Sequence, residues 1–260
     1  LSSDVCSSDP RGRHLPFWSL VPALRGAVRS EALHPAEVVI DTPFEFATSL
    51  DGTGKRFFVD DVNALYSGLL LVGSTREVRA SGGLRLVSFD LDDAALARVA
   101  TLERKVNATL EAQTGPRQPL HLLALHRIPD GLRRNGAFGV NVQENAIALL
   151  SPGFDGAAMT ADGLVVTHEL THSSLPGSGN LPHWIEEGFT EYFALRAALA
   201  IDGAPSEALR ELLSTAWTFF VQDSPNRRAG ATALGDYAGG LVLAHCIDVR
   251  LRRDGSSLEA

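Results

Sequence analysis

The chain has 260 residues, 45% of them hydrophobic and 21% charged, with 24 Gly and 13 Pro, a composition that excludes a disordered or collagen-like chain. Its net charge is −8, from 23 basic and 31 acidic residues, and no basic stripe runs through it, which argues against nucleic acid or anionic membrane as a partner. No apolar run reaches the roughly 18–20 residues of a membrane-spanning helix, and two cysteines, Cys6 and Cys246, cannot make a disulfide framework or a Cys-ligated metal site.

Residues 1–10 open on SSDVCSSD, which resembles a sequencing-adapter tail read in frame and is set aside as non-native. Residues 36–50 (AEVVIDTPFEFATSL) hold a short β-like run, then Pro43 and alternating aromatics, as in the last strand of a preceding β-rich part. Residues 51–54 (DGTG) form a turn cluster, 56–61 a short strand, and 63–72 an apolar run that fits helix or buried strand. Residues 84–91 alternate as a half-buried strand does. A long helix follows, with Asp92 as N-cap, a buried stripe of Leu96, Val99, Ala100, Leu102, Val106 and Leu110, and a stop at Gly115-Pro116. Residues 119–126 (PLHLLALH) predict a central strand, and 139–150 (GVNVQENAIALL) one longer strand with polar residues in its first half. Beyond Asp162 the pattern is helical over 163–173, from Pro182 to about residue 200, and over 205–221 and 234–253, with a Pro/Gly loop at 174–180. Strands first and helices after predict an α+β fold.

The chemistry concentrates at His168-Glu169-Leu170-Thr171-His172. Two histidines at i and i+4 on a helix share a face, so their imidazoles can grip one Zn²⁺. Glu169, one step round the helix, then stands beside the metal-bound water in the position of a general base. Chance placement in a chain of eight histidines does not account for the pattern. Zinc in a catalytic site needs a third protein ligand and an open fourth position. The next helix offers Glu186, Glu187 and Glu191, along with His183, and Glu187 and Glu191 share a face. Gly188 weakens that helix by roughly 1 kcal/mol against Ala, which predicts a close backbone approach beside Glu187.

HELTH followed by WIEEGFTEYF resembles the gluzincin clan of metallopeptidases. The resemblance implies that Glu187 of the W-x-x-E-G signature is the third zinc ligand, with Trp184 and Gly188 matching, and that Glu191 orients the first zinc histidine. Within the clan the chain is similar to the glycyl-aminopeptidase-type family related to aminopeptidase N, over about residues 38–258. This similarity rests also on TPFEFATSL, FFVDDVNALY and DYAGGLVLAHCIDVRLRRDG. In that family a Y-x-K-G stretch supplies an oxyanion-stabilising Tyr; Tyr237-Ala238-Gly239-Gly240 keeps the Tyr and the final Gly, with Gly239 in place of Lys. A Tyr O–H aimed at a developing oxyanion suits amide hydrolysis. Related enzymes carry a G-x-M-E-N edge strand whose Glu holds the substrate amine; here Glu144 and Asn145 match, while Asn141 and Gln143 replace Gly and Met. The alternative for Glu144 is a charge guarding a strand edge. Two departures stand out: the family's Trp-Asn pair after HExxH is absent, and only 14 residues separate His172 from Glu187.

The resulting expectation is a thermolysin-like gluzincin catalytic domain over 56–260, truncated at its C-terminus, with a small mixed sheet and then a mostly helical half, and with 11–55 as a remnant of an N-terminal β-rich domain. It would bind one Zn²⁺ per chain through His168, His172 and Glu187, use Glu169 and Tyr237 in catalysis, and hydrolyse a peptide or protein substrate held by Glu144 and Asn145. The alternatives are an endopeptidase without amine recognition and a non-catalytic domain stabilised by zinc. His121 and His126 are expected to be structural, His183 to cap or face solvent, and His245 to lie in a core or at the surface.

Overall fold

The computed structural model describes residues 13–16, 35–50, 52–60, 69–73, 75–80, 84–115, 122–127, 138–143, 146–151, 154, 156–173, 175, 182–203, 206–223 and 233–258. It divides into two compact units, residues 1–97 with 119–152, and residues 98–118 with 153–260. The first is built on sheets and the second on helices, so the fold is of mixed α and β type.

In the first unit the strands are β1 (Arg13–Pro16), β2 (Ala36–Val39), β3 (Phe46–Thr48), β4 (Gly52–Thr53), β5 (Arg56–Val59), β6 (Leu69–Val72), β7 (Arg76–Arg79), β8 (Arg85–Ser88), β9 (Leu122–Arg127), β10 (Phe138–Gln143) and β11 (Ala146–Ser151). Among the described residues three sheets result, in the orders β1-β6-β3, β2-β5-β4 and β10-β11-β9-β8-β7. The five-stranded sheet is mixed: β8, β9 and β11 run parallel, and β7 and β10 are antiparallel edges. As expected, 119–126 contributes the central strand. Period-two alternation along β6 explains how the layers stack. Leu71 joins Ala47, Val87, Leu122 and Ala124 in one buried cluster, while Leu70 joins Ile40, Leu50, Phe57 and Val59 in another.

The ambiguous run at 63–72 thus yields a buried strand at its end. The expectation of one strand over 139–150 is corrected. β10 ends at Gln143 and β11 opens at Ala146, and these two residues pair across the antiparallel β10–β11 ladder. Glu144 and Asn145 lie outside the described residues. The reading of 36–50 as a single strand is corrected likewise: Pro43, which has no N–H to give a ladder, lies between β2 and β3, and these belong to different sheets.

Helix α1 (Asp93–Thr114) links the parallel strands β8 and β9, the usual role of a crossover helix. Asp92 Oδ1 accepts the Ala95 N–H at 2.7 Å, the predicted stripe is buried, and Gly115 ends the helix at φ 86°. The second unit contains α2 (Ala161–His172), α3 (His183–Asp202), α4 (Ser206–Asp223) and α5 (Ala233–Arg253). Tyr192, Leu195, Ala216, Ala238, Leu241 and Ala244 form a core shared by α3, α4 and α5, with Leu164 of α2 packed against it. Helices α3 and α5 cross backbone to backbone. A Cβ placed on Gly188 would lie 2.1 Å from Gly240 Cα, and one placed on Gly240 would lie 2.1 Å from the Trp184 carbonyl oxygen. This is the close approach that Gly188 predicts.

Candidate metal centre

Helix α2 is fixed at its N-terminal end. The Thr160 hydroxyl caps it by accepting the Gly163 N–H at 3.2 Å. Just before it, the Ala158 and Met159 N–H groups donate to Asp202, at 3.4 and 2.8 Å, at the far end of α3. Inside α2 the buried Thr167 and Thr171 turn their hydroxyls back onto the carbonyls of Gly163 and Thr167, each at 2.7 Å. Their polarity is thereby satisfied locally, which leaves the polar groups of His168, Glu169 and His172 for other partners. Helix α3 starts after Pro182 and ends at Gly203 in the left-handed conformation, φ 61°.

On the facing surfaces of α2 and α3, three donor atoms converge. His168 Nε2 lies 3.1 Å from Glu187 Oε2 and 3.2 Å from His172 Nε2, and His172 Nε2 lies 3.4 Å from Glu187 Oε2. Four ligands arranged tetrahedrally around zinc at about 2.0–2.1 Å stand about 3.3 Å from one another. The N, N, O donor set and its spacing therefore fit a zinc ion. His168 and Glu187 are buried and His172 nearly so, which shields the site from bulk water.

The outward nitrogens are held as well. His168 Nδ1 lies 2.8 Å from Glu191 Oε2, and His172 Nδ1 lies 3.3 Å from the Thr190 hydroxyl. Both imidazoles thus turn Nε2 toward Glu187 and Nδ1 toward a residue of α3, with ring centroids 4.9 Å apart. Burial pushes His168 down, but its bonds to Glu187 and Glu191 outweigh that and raise its pKa to about 10. The convergence that holds a proton so firmly is also suited to a divalent cation. Glu169 is buried and makes no hydrogen bond among the described residues. Burial pushes its pKa up, against the charges of His168 and His172 and with that of Glu187.

Of the residues singled out in the sequence, His168, His172 and Glu187 come together, Glu169 lies beside His168 on α2, and Glu191 meets His168. Glu186 is absent from the convergent set. Tyr237 is on α5, three residues before the Gly240 crossing, but its side chain lies outside the described residues, as do those of His126 and His183; His121, like Glu144 and Asn145, lies wholly outside them. His245 is half-buried with its ring centroid 6.1 Å from that of Tyr192, as a core-facing histidine would be. Two features were not anticipated. One is Thr190, whose only sequence signal is its place three residues after Glu187, on the same helical face. The other is Asp248, buried on α5, which accepts the Tyr192 O–H at 2.7 Å, Arg252 Nε at 2.8 Å, Arg196 Nη1 at 3.3 Å and the Leu258 N–H at 3.0 Å.

No family model matches the sequence, and no curated protein matches it by sequence. Solved structures do. An aminopeptidase N family protein from Idiomarina loihiensis superposes with a TM-score of 0.58 at 21% identity, over 86% of this chain and 48% of its own. Native yeast LTA4 hydrolase gives 0.54 at 16% identity, over 84% of this chain and 38% of its own. An M1 zinc metallopeptidase from Deinococcus radiodurans, in a mutant form bound to a Tyr-Ser-Ala substrate, gives 0.50 at 17% identity, over 84% and 52%. The chain therefore spans about half or less of the length of these structures, and what it shares with them is the fold of aminopeptidase N family and M1 zinc metallopeptidase structures.

Proposed function

We propose that the chain is a zinc-dependent peptide hydrolase of aminopeptidase type. The observation that carries this reading is the convergence of His168 Nε2, His172 Nε2 and Glu187 Oε2 at 3.1–3.4 Å, with the buried Glu169 on the same helix as the two histidines. The fold shared with zinc metallopeptidase structures supports it. His168, His172 and Glu187 would hold the ion. A zinc ion so held supplies Lewis-acid polarisation of the scissile carbonyl and lowers the pKa of a water. Glu169 Oε takes a proton from the attacking water and delivers it to the leaving amine, which one carboxylate can do in sequence. Glu191 accepts from His168 Nδ1 and so keeps the Nε2 lone pair turned toward the metal. Tyr237 donates its O–H to the oxyanion, and Glu144, with Asn145 beside it, pairs with the free amine of the substrate; both assignments rest on the resemblance.

The reading is tested by metal analysis and digestion together. The purified chain is expected to bind about one zinc, to lose it on His168→Ala, His172→Ala or Glu187→Ala, and to keep it on Glu186→Ala. Release of zinc by Glu186→Ala with retention by Glu187→Ala overturns the ligand set. Peptides with acetylated N-termini are expected to be poor substrates beside their free counterparts, and Glu144→Ala to remove the difference. Equal cleavage of both by the parent protein replaces the aminopeptidase reading with an endopeptidase one, and zinc without any turnover leaves a zinc-stabilised domain.

A further inference from the structure

The two histidines of the metal centre are held from outside by different chemistry. His168 Nδ1 meets a carboxylate, Glu191, at 2.8 Å, and His172 Nδ1 meets a hydroxyl, Thr190, at 3.3 Å. Thr190 is fully buried, as are Thr167 and Thr171 on α2. Those two spend their hydroxyls on carbonyls of their own helix, the ordinary outcome for a threonine inside a helix. Thr190 instead directs its oxygen across to α2. It lies one position before Glu191 and three after Glu187, so one face of α3 carries a candidate ligand and both outer partners.

We propose that Thr190 is a positioning residue for His172, accepting the Nδ1–H bond that leaves the Nε2 lone pair facing the metal. The inference rests on the zinc reading above and extends it to a residue that reading does not need. A neutral imidazole has one N–H and one lone pair. A cation on the Nε2 side places the hydrogen on Nδ1, and a buried N–H without an acceptor is costly. The Thr190 oxygen supplies that acceptor. It does so without charge, and this matters because Glu169, Glu187 and Glu191 already surround the two rings. A fourth carboxylate in the same buried space would add like-charge repulsion.

The test uses the full chain, with zinc affinity measured by chelator competition and histidine ring signals read by NMR. Thr190→Val keeps the shape and removes the acceptor; Thr190→Ser keeps the hydroxyl. Val is expected to weaken zinc binding about 10–100-fold, and Ser to stay within about threefold of the parent. In the zinc-loaded parent the His172 Nδ1 proton is expected to be visible and slow to exchange with water, and in Thr190→Val to exchange fast, while that of His168 stays protected in both. Parental affinity in Thr190→Val, or equal losses in Val and Ser, overturns the proposal. Should Thr190→Val fail to fold, the parent spectrum decides: a His172 Nδ1 proton that exchanges freely also overturns it. A parent chain that takes up no zinc overturns the underlying reading as well, and is told apart because His172→Ala then changes nothing in the metal assay.

Discussion

Glu169 and Glu187 are both buried carboxylates, on α2 and α3, yet they face different demands. Glu187 is one corner of the donor triangle, whereas Glu169 has no hydrogen-bond partner among the described residues. A carboxylate so placed is available to a proton. Glu169→Gln, which keeps the shape, is expected to bind zinc as the parent does and to lose about 10²–10⁴-fold in turnover. Atomic absorption on the purified variant, paired with a peptide assay, checks both halves; retained turnover in metal-loaded protein would remove Glu169 from the mechanism. At this scale the sequence was informative because the i, i+4 spacing of His168 and His172 is itself a geometric statement. The choice among Glu186, Glu187, Glu191 and His183 was not legible from spacing, since several of them lie within a turn of one another. Thr190 carried only the weak signal of its place three residues after Glu187, because a threonine in a helix commonly bonds its own backbone.

Elements place these side chains, and two glycines govern the placement. Gly188 and Gly240 let α3 and α5 touch at their backbones beside Glu187. Gly240→Ala would set a methyl against the Trp184 carbonyl oxygen and the Gly188 Cα, at 2.1 and 2.7 Å. Neither neighbour is a side chain that can swing aside, so the helices must part. A cost of about 1–3 kcal/mol or more is expected for either Gly188→Ala or Gly240→Ala, seen as a lower urea midpoint together with weaker zinc binding. A milder test lies at the start of α2, where Thr160→Ala removes the cap and is expected to cost about 1 kcal/mol with little effect on zinc affinity. Helices were readable here because caps, stripes and stops coincide, as with Asp92, the Leu96-to-Leu110 stripe and Gly115. The division into β10 and β11 was missed because no Gly or Pro separates the two strands in the sequence.

Over the whole chain, one charge cluster links distant parts of the helical unit. Asp248 gathers Tyr192 and Arg196 from α3, Arg252 from its own helix and the Leu258 N–H from beyond it. Burial pushes the Asp248 carboxyl up, but the bonds from Tyr192, Arg252 and Leu258 and the charge of Arg196 overcome this and hold its pKa at about 2. A depressed folded-state pKa stabilises the fold above the unfolded value and loses that stabilisation as pH falls through the folded one. The contribution is about 2 kcal/mol at neutral pH, declining from about pH 4 to about pH 2. Urea unfolding across that window is expected to show a steeper decline in the parent than in Asp248→Asn, which starts about 2 kcal/mol lower at pH 7. This cluster was invisible in the sequence, because Tyr192 and Asp248 are 56 positions apart and nothing in their local pattern pairs them. The α+β character was legible because, α1 apart, the strand-forming segments precede the helical ones in the sequence.

Neither compact unit is one continuous stretch: residues 98–118 belong with the helices although 119–152 return to the sheets. On the ribosome this becomes an order of arrival. The last three strands of the five-stranded sheet emerge only after α1, and the helical partners of residues 98–118 emerge later still. A nascent chain arrested just after residue 152 has cleared the exit tunnel would have every described sheet strand in hand while residues 98–118 await their unit. Limited proteolysis of such arrested chains is expected to cut first within 98–118, and to lose that cut once residue 258 has cleared the exit tunnel.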